Sequence, residues 1–275
     1  MKIVRKAREL PPPSHRSIGF VPTMGAFHEG HLDLMRRARR ETDIVVVSLF
    51  VNPTQFGKGE DFSRYPRDLD RDSAMAEGVG VDILFVPDVS EVYPHLPSTS
   101  IKVPEVSSRW EGAARPTHFE GVATVVGKLF NMVRPDIAFF GQKDLQQCAV
   151  IRRMVEDLYF SVRLEICPTT READGLAMSS RNAYLSEDER RTAPALFREL
   201  TRCVNTFKSN SFVSTEVETE LARSREELTS VGFDVDYFEW VSYDDLLPVR
   251  DTSQASAVIV AAKIGRTRLI DNIVL

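Results

Sequence analysis

The sequence predicts an α/β protein: a doubly wound parallel sheet followed by a smaller α+β domain. In the first half, short apolar runs at 18–21, 44–51 and 83–86 alternate with helix-like segments at 31–40 and 66–77, as a parallel sheet with crossover helices requires. Val122, Val125, Val126, Leu129, Phe130 and Val133 then recur at helical spacing and stop before Pro135. An apolar run at 137–140, a helix at 145–157 and a last run at 162–166 complete a sheet of about five strands by pattern counting. From about Asn182 the character changes. Helical stretches at 187–207 and 215–231 precede alternating Phe233, Val235, Tyr237 and Val241, and runs at 257–264 and 269–274 flank Gly265 as an antiparallel hairpin would. The expected domains are 1–181 and 182–275.

Composition excludes several classes of function. Of 275 residues 43% are hydrophobic and 27% charged, enough apolar material for a sizeable core and no case for disorder. Forty Asp+Glu against 35 Lys+Arg give a net charge of −5, which argues against a chain held mainly by nucleic-acid phosphates. The basic start at Lys2, Arg5, Lys6 and Arg8 runs into Pro11, Pro12 and Pro13 without an apolar stretch, so it does not read as a secretory signal. The eight-residue run 44–51 is far short of the roughly 20 residues that cross a bilayer. Cys148, Cys167 and Cys203 are odd in number and far apart, unlike a disulfide framework or a zinc site, and a reducing cytoplasm is the expected location.

The most informative stretch joins the first strand to the first helix: Met24, Gly25, Ala26, Phe27, His28, Glu29, Gly30 and His31. Free N–H groups at a helix start favour phosphate, and Gly25 and Gly30 let the backbone come close. His28 and His31, three apart, share one side of a helical turn and can both donate to one triphosphate. Two other readings stand beside this one: a plain strand-turn-helix junction, or a chelating His pair, for which no third ligand is visible nearby.

Three further blocks carry chemistry. Asn52 and Gln55 follow the second strand at its carboxyl end, where such sheets bind ligands, although Asn52-Pro53 is also ordinary turn chemistry. Lys143, in Gly141-Gln142-Lys143-Asp144, offers a point charge for phosphate, while Asp144 could accept from ribose hydroxyls or cap the next helix. In Met178-Ser179-Ser180-Arg181 the guanidinium matches phosphate bidentately. Arg115 and His118 could close over a substrate or simply lead into the helix at Val122. The Arg36-Arg37-Ala38-Arg39-Arg40 run has acidic neighbours Asp33, Glu41 and Asp43 and reads as a solvated helix face.

The stretch 22–31 resembles the His-x-Gly-His signature of the nucleotidyltransferase superfamily. Together with Phe50 to Phe56, Arg115 to Phe119, Phe140 to Gln147 and Met178 to Asn182 in order, it resembles the pantoate–β-alanine ligase family from end to end. The resemblance implies a Rossmann-like nucleotidyltransferase fold and condensation of (R)-pantoate with β-alanine, driven by ATP through a pantoyl-adenylate. It further implies ATP contacts from Met24 to His31, from Gly141 to Asp144, at Thr170, and from Met178 to Arg181, with His28, His31, Lys143 and Arg181 catalytic. Gln55 and Gln147 would contact pantoate, Gln55 also β-alanine, and Asn52, Arg115 and His118 are secondary candidates. Mg²⁺ is expected on the ATP phosphates without a dedicated protein motif. The expected partners are these small molecules and a second copy of the chain in a homodimer, with neither nucleic acid nor membrane. Phe27 and Thr54 replace residues more often Leu and Met in the family, which bears on packing rather than on reaction class.

Overall fold

The computed structural model describes residues 1–12, 14–57, 61–95, 98–209, 214–249 and 255–275; Pro13 of the proline run lies outside them. The chain forms two compact units, Met1–Gly141 with Gln146–Pro168, and Gln142–Leu145 with Thr169–Leu275. Residues 169–181, placed by sequence with the nucleotide-binding domain, thus group with the second unit, to which an Arg171–Asp271 ion pair ties them.

The first unit is built on β1 (Lys2–Val4), β2 (Ile18–Thr23), α1 (Glu29–Glu41), β3 (Ile44–Leu49), α2 (Leu69–Gly78), β4 (Ile83–Phe85), α3 (His118–Val133), β5 (Ile137–Gly141), α4 (Leu145–Asp157) and β6 (Arg163–Cys167). Its strands make one parallel sheet in the order β1-β4-β3-β2-β5-β6. The sheet has one strand more than the pattern count. β1 is three residues long with two of them exposed, so it carries almost no apolar signal. The expected helix at 66–77 starts later, at Leu69, because the Asp68 carboxylate accepts from the Arg71 N–H at 3.0 Å and caps that turn.

Because both sheet faces are covered, the strands read as continuous apolar runs. Along β3, Val45 and Val47 pack with Met35 and Ala38 of α1 on one face, whereas Ile44 and Val46 join Val122, Val126 and Phe130 of α3 and Ile151 of α4 on the other. Strand order reverses between β2 and β5, which pair through Gly19↔Ile137 and Phe20↔Ala138. In doubly wound sheets such a reversal opens a ligand crevice at the strand carboxyl ends.

In the second unit the expected long helix is two: α5 (Glu187–Thr192) and α6 (Ala195–Ser209). Pro194, lacking an N–H, separates them. α7 (Ser214–Ser230) precedes an antiparallel sheet of β7 (Phe233–Ser242), β8 (Ser256–Ile264) and β9 (Thr267–Val274). Ile264 pairs with Thr267, leaving a two-residue turn in which Gly265 takes φ +55°. The core joins Leu196, Leu200 and Phe207 of α6 to Phe238 and Trp240 of β7, with Phe207 stacked on Trp240 at 4.5 Å.

No helix among the described residues is long and apolar enough to cross a membrane. All three cysteines are buried thiols outside any disulfide, and burial pushes the thiols of Cys167 and Cys203 up to about 11 and about 12. Neither is a thiolate nucleophile at neutral pH.

Candidate active site

In the first unit the site begins where β2 ends. The loop that follows turns on Gly25 at φ +70°, and two side chains from the 65–72 segment hold it. The Tyr65 hydroxyl donates to the Gly25 carbonyl at 2.6 Å, and the Phe27 N–H donates to the Asp72 carboxylate at 2.7 Å. Asp72 is 1% exposed, and burial raises its carboxyl above the usual range. A group whose folded pKa lies above its unfolded value favours folding most at low pH, and that contribution is lost as pH rises through the folded pKa. Asp72→Asn keeps an acceptor for Phe27 but removes the titration. The melting temperature of the variant relative to the parent is therefore expected to climb from pH 4 to pH 8, as a paired pH series of thermal unfolding would show.

α1 starts at Glu29, so His28 caps the helix rather than lying within its first turn, a correction to the sequence reading. With φ −138° and ψ 175°, its carbonyl accepts the N–H groups of His31 and Leu32 at 2.9 and 3.2 Å. The imidazoles still share one side, with ring centroids 4.1 Å apart. The His28 N–H points to Nδ1 of His31 at 3.4 Å, a long contact that needs Nδ1 unprotonated and so directs the ring proton of neutral His31 to Nε2. Among the described residues no group of three or more His, Cys, Asp or Glu side chains could hold a metal, so the chelating-pair reading gains no third ligand. The arginines beyond are compensated on the helix face: Arg36 by Glu29 and Asp33, Arg37 by Glu41 and Glu165, Arg39 by Asp82.

Beyond β3 the two amides singled out by sequence part ways. Asn52 is fully buried, its Oδ1 accepting from the Thr54 N–H and hydroxyl and from the Tyr93 hydroxyl, and its Nδ2 donating to the Gly121 carbonyl. It belongs to the turn, and the fold absorbs the ligand role considered for it. Gln55 is the reverse case. Arg115 and His118 both bond to its backbone carbonyl, at 3.2 and 3.0 Å, while its side-chain amide makes no hydrogen bond within the described chain. Arg115 and His118 thus hold Gln55 in place.

Gly121 of α3 presses on the same turn: a Cβ there would meet the Thr54 carbonyl oxygen at 2.4 Å and the Gln55 nitrogen at 2.9 Å. These are backbone atoms and cannot swing aside. Gly121→Ala is expected to displace the Gln55 backbone and lower the melting temperature, since overpacking against atoms that cannot move aside typically costs about 1–3 kcal/mol. Thermal unfolding of the variant beside the parent checks this.

On α4, Gln146 and Gln147 are adjacent and differ in the same way. Gln146 is 7% exposed and committed, accepting from the Glu111 N–H and donating to the carbonyls of Val106 and Arg109. Gln147 is half-buried, and its amide makes no hydrogen bond within the described chain.

The second unit carries the cationic loops. Gln142, Lys143 and Asp144 form one 3₁₀ turn, with Lys143 Nζ 3.6 Å from Asp144 Oδ1. Asn272 of β9, which sequence reasoning missed, donates from its one Nδ2 to the carbonyls of Gln142 and Lys143 at 2.9 and 3.1 Å, and accepts from Gln142 Nε2 at 3.1 Å. Its neighbour Asp271, 4% exposed, holds Arg171 through two bonds of 2.6 and 2.9 Å, and the guanidinium also stacks over Phe197 at 3.6 Å. Burial raises the Asp271 carboxyl against the opposing pull of Arg171.

The loop beginning at Thr170 folds back on itself: Arg171 bridges Ala177, Gly175 turns at φ +92°, and the Met178 N–H donates to the Thr170 carbonyl at 3.0 Å. Ser179 caps the 3₁₀ turn Ser180–Tyr184 by accepting from the Arg181 N–H. A polar Asp-Asn pair inside the apolar run 269–274 was the available signal for Asp271 and Asn272. Asp72 and Tyr65 left none, lying in a polar stretch far along the chain from Gly25.

The family model described as pantoate-beta-alanine ligase matches residues 1–274. The pantothenate synthetase of Pelotomaculum thermopropionicum is 49% identical over 277 residues, covering 99% of this chain and 94% of that protein. That of Heliobacterium modesticaldum is 49% identical over 285 residues, covering 100% and 99%. Among solved structures, pantothenate synthetase from Thermus thermophilus superposes with a TM-score of 0.92 at 48% identity, covering 99% of each chain. Pantoate-beta-alanine ligase from Francisella tularensis, complexed with beta-gamma ATP and beta-alanine, superposes with a TM-score of 0.83 at 32% identity, covering 100% of this chain and 97% of that one.

Proposed function

As this chain belongs to the pantoate–β-alanine ligase family, we propose that it joins its two substrates by way of a pantoyl-adenylate made from ATP. Amide formation from a free carboxylate needs a better leaving group than oxide. In the first half-reaction a pantoate carboxylate oxygen bonds to the α-phosphorus of ATP, the bond from that phosphorus to the bridging oxygen breaks, and pyrophosphate leaves. In the second, the free amine of β-alanine bonds to the acyl carbon, AMP leaves with the carbon–oxygen electron pair, and the amine gives up a proton. No covalent enzyme intermediate is required.

Each unit contributes its own groups. From the first, His28 and His31 donate to the phosphates, His31 through Nε2, while the N–H groups of Gly25 and Ala26 in the loop and of Glu29 and Gly30 at the helix start serve the nucleotide, those of Phe27 and His28 being used within the loop. Gln55 and Gln147 orient pantoate, and Gln55 also meets β-alanine. From the second, Lys143 and Arg181 offset charge on the departing pyrophosphate, and Gly141, Gln142, Asp144, Thr170, Met178, Ser179 and Ser180 line the nucleotide. Gly141 itself ends β5 of the first unit. Donors aimed at developing charge act mainly on the transition state. Mg²⁺ is read as a counter-ion held mainly by the ATP phosphates themselves. When bound there, Mg²⁺ neutralises phosphate charge. On family likeness the chain is also read as a cytoplasmic homodimer.

The observation that supports this most directly is Gln55: a backbone clamped by the Arg115 and His118 side chains, presenting an uncommitted amide beyond the end of β3. Such an amide gives two donors and an acceptor to a hydroxy acid. The decisive experiment is exchange of labelled pyrophosphate into ATP with pantoate and without β-alanine. Pantoate-dependent exchange, followed by pantothenate and AMP when β-alanine is added, is the expected result. Exchange that needs a phosphorylated pantetheine instead would overturn the proposal in favour of nucleotidyl transfer.

A further inference from the structure

We propose that Asn272 is a positioning residue for the adenylation half-reaction, fixing Lys143 through its backbone, with Asp271 tying the Thr170 loop to the same point of β9. The proposal rests on the proposed contact of Lys143 with the ATP phosphates.

Lys143 sits in a single 3₁₀ turn, too short to fix its own geometry. A side chain of β9 holds the turn. Asn272 is 2% exposed, and both protons of its amide are used on consecutive carbonyls, those of Gln142 and Lys143, while its oxygen takes the Gln142 side-chain amide. Two donors and one acceptor on one planar group of this length describe asparagine alone. Aspartate would set oxygen against two carbonyl oxygens, and an aliphatic residue would leave three half-buried polar groups without this partner.

The adjacent residue completes the arrangement. Asp271 accepts both guanidinium nitrogens of Arg171 and, through Oδ1, the Asn272 N–H at 2.8 Å. Arg171 in turn donates to the Gly175 carbonyl at 3.1 Å, inside the loop bounded by Thr170 and Met178. Two neighbouring residues of one strand thus fasten two segments assigned to the nucleotide: the Lys143 turn and the Thr170 to Met178 loop. Their side chains lie between Leu269 and Ile270 on one side and Ile273 and Val274 on the other, where packing alone would favour apolar residues.

The test is a double-mutant cycle on pantoate-dependent pyrophosphate exchange, with Asn272→Ala, Lys143→Ala and the double variant. Asn272→Ala is expected to lower the exchange rate about 10–100-fold, the scale of a displaced catalytic group, with KM for pantoate within about twofold of the parent. In the Lys143→Ala background the same change should cost almost nothing, because the group it positions is gone. Amide hydrogen exchange should show faster exchange confined to peptides spanning 141–145. If Asn272→Ala fails to fold, Asn272→Ser, whose hydroxyl can serve one carbonyl, takes its place with an intermediate loss expected. Equal losses in both backgrounds, or unchanged exchange in Asn272→Ala while Lys143→Ala is slow, would overturn the positioning role and leave the nucleotide reading standing. An unimpaired Lys143→Ala would overturn both.

Discussion

Lys143→Ala is expected to slow pantoyl-adenylate formation by about 10²–10³-fold, and His31→Ala by a similar factor, with the fold intact in both. Removing one preorganised donor from a site that stabilises developing charge costs about 2.7–4 kcal/mol. Lys143 meets the conditions for that cost. Its side chain is 21% exposed, and its nearest carboxylate, Asp144 at 3.6 Å, is nearly half exposed and so makes a weak, screened pair that leaves the ammonium available. His31 accepts the His28 N–H through Nδ1, which assigns the ring proton of its neutral form to Nε2. Charge on the leaving pyrophosphate grows as the bond to the α-phosphorus breaks, so both losses should fall on kcat of the first half-reaction and much less on KM. Supplying chemically made pantoyl-adenylate separates the steps: the variants should convert it with β-alanine far closer to the parental rate than they make it. Equal losses in both half-reactions would show that these groups serve general binding, and parental rates of adenylate formation would remove them from the site.

The contrast between neighbouring amides shows what a sequence can and cannot supply. Strand and helix positions were legible because each depends on a period of a few residues: 44–51 and 137–140 read as buried strands, and the Val122 to Val133 spacing read as the helix found at His118–Val133. The His28–His31 pair was legible for the same reason, its geometry being set within one turn. Gln146 and Gln147, or Asn52 and Gln55, look alike as letters. Burial and partners separate them, and those partners, Val106, Arg109, Tyr93 and Gly121, come from segments far along the chain. Asp72 reaches back 45 residues to Phe27, and Asn272 reaches 129 residues to Lys143. Local patterning carries no trace of such pairings. The positioning residues of this protein are therefore hidden where the residues they position are not.

The second large effect is expected at a residue with no side chain. Gly25→Ala should both destabilise the protein and slow adenylate formation, by about 10²-fold, because two independent constraints meet at that position. At φ +70° an L-residue other than glycine costs about 1–2 kcal/mol in the left-handed region. A Cβ built there would also lie 2.6 Å from Asp72 Oδ2 and 2.6 Å from Leu49 Cδ1, an overpacking that typically costs about 1–3 kcal/mol. Leu49 can rotate; Asp72 cannot yield without releasing the Phe27 N–H, the residue immediately before His28. Strain at Gly25 is thus delivered toward the imidazole pair through the Asp72–Phe27 hydrogen bond, while Tyr65 keeps the Gly25 carbonyl from moving aside. Gly78→Ala is the matched control: nothing lies within 4 Å of a Cβ there, its φ is not positive, and it sits at the end of α2, so a gain of about 0.4–1 kcal/mol is expected with unchanged kinetics. Thermal unfolding and pantoate-dependent exchange measured on both variants decide the matter. A Gly25→Ala protein that melts and exchanges like the Gly78→Ala control would mean that the loop before His28 is free to adjust, and that Asp72 and Tyr65 do not fix its shape.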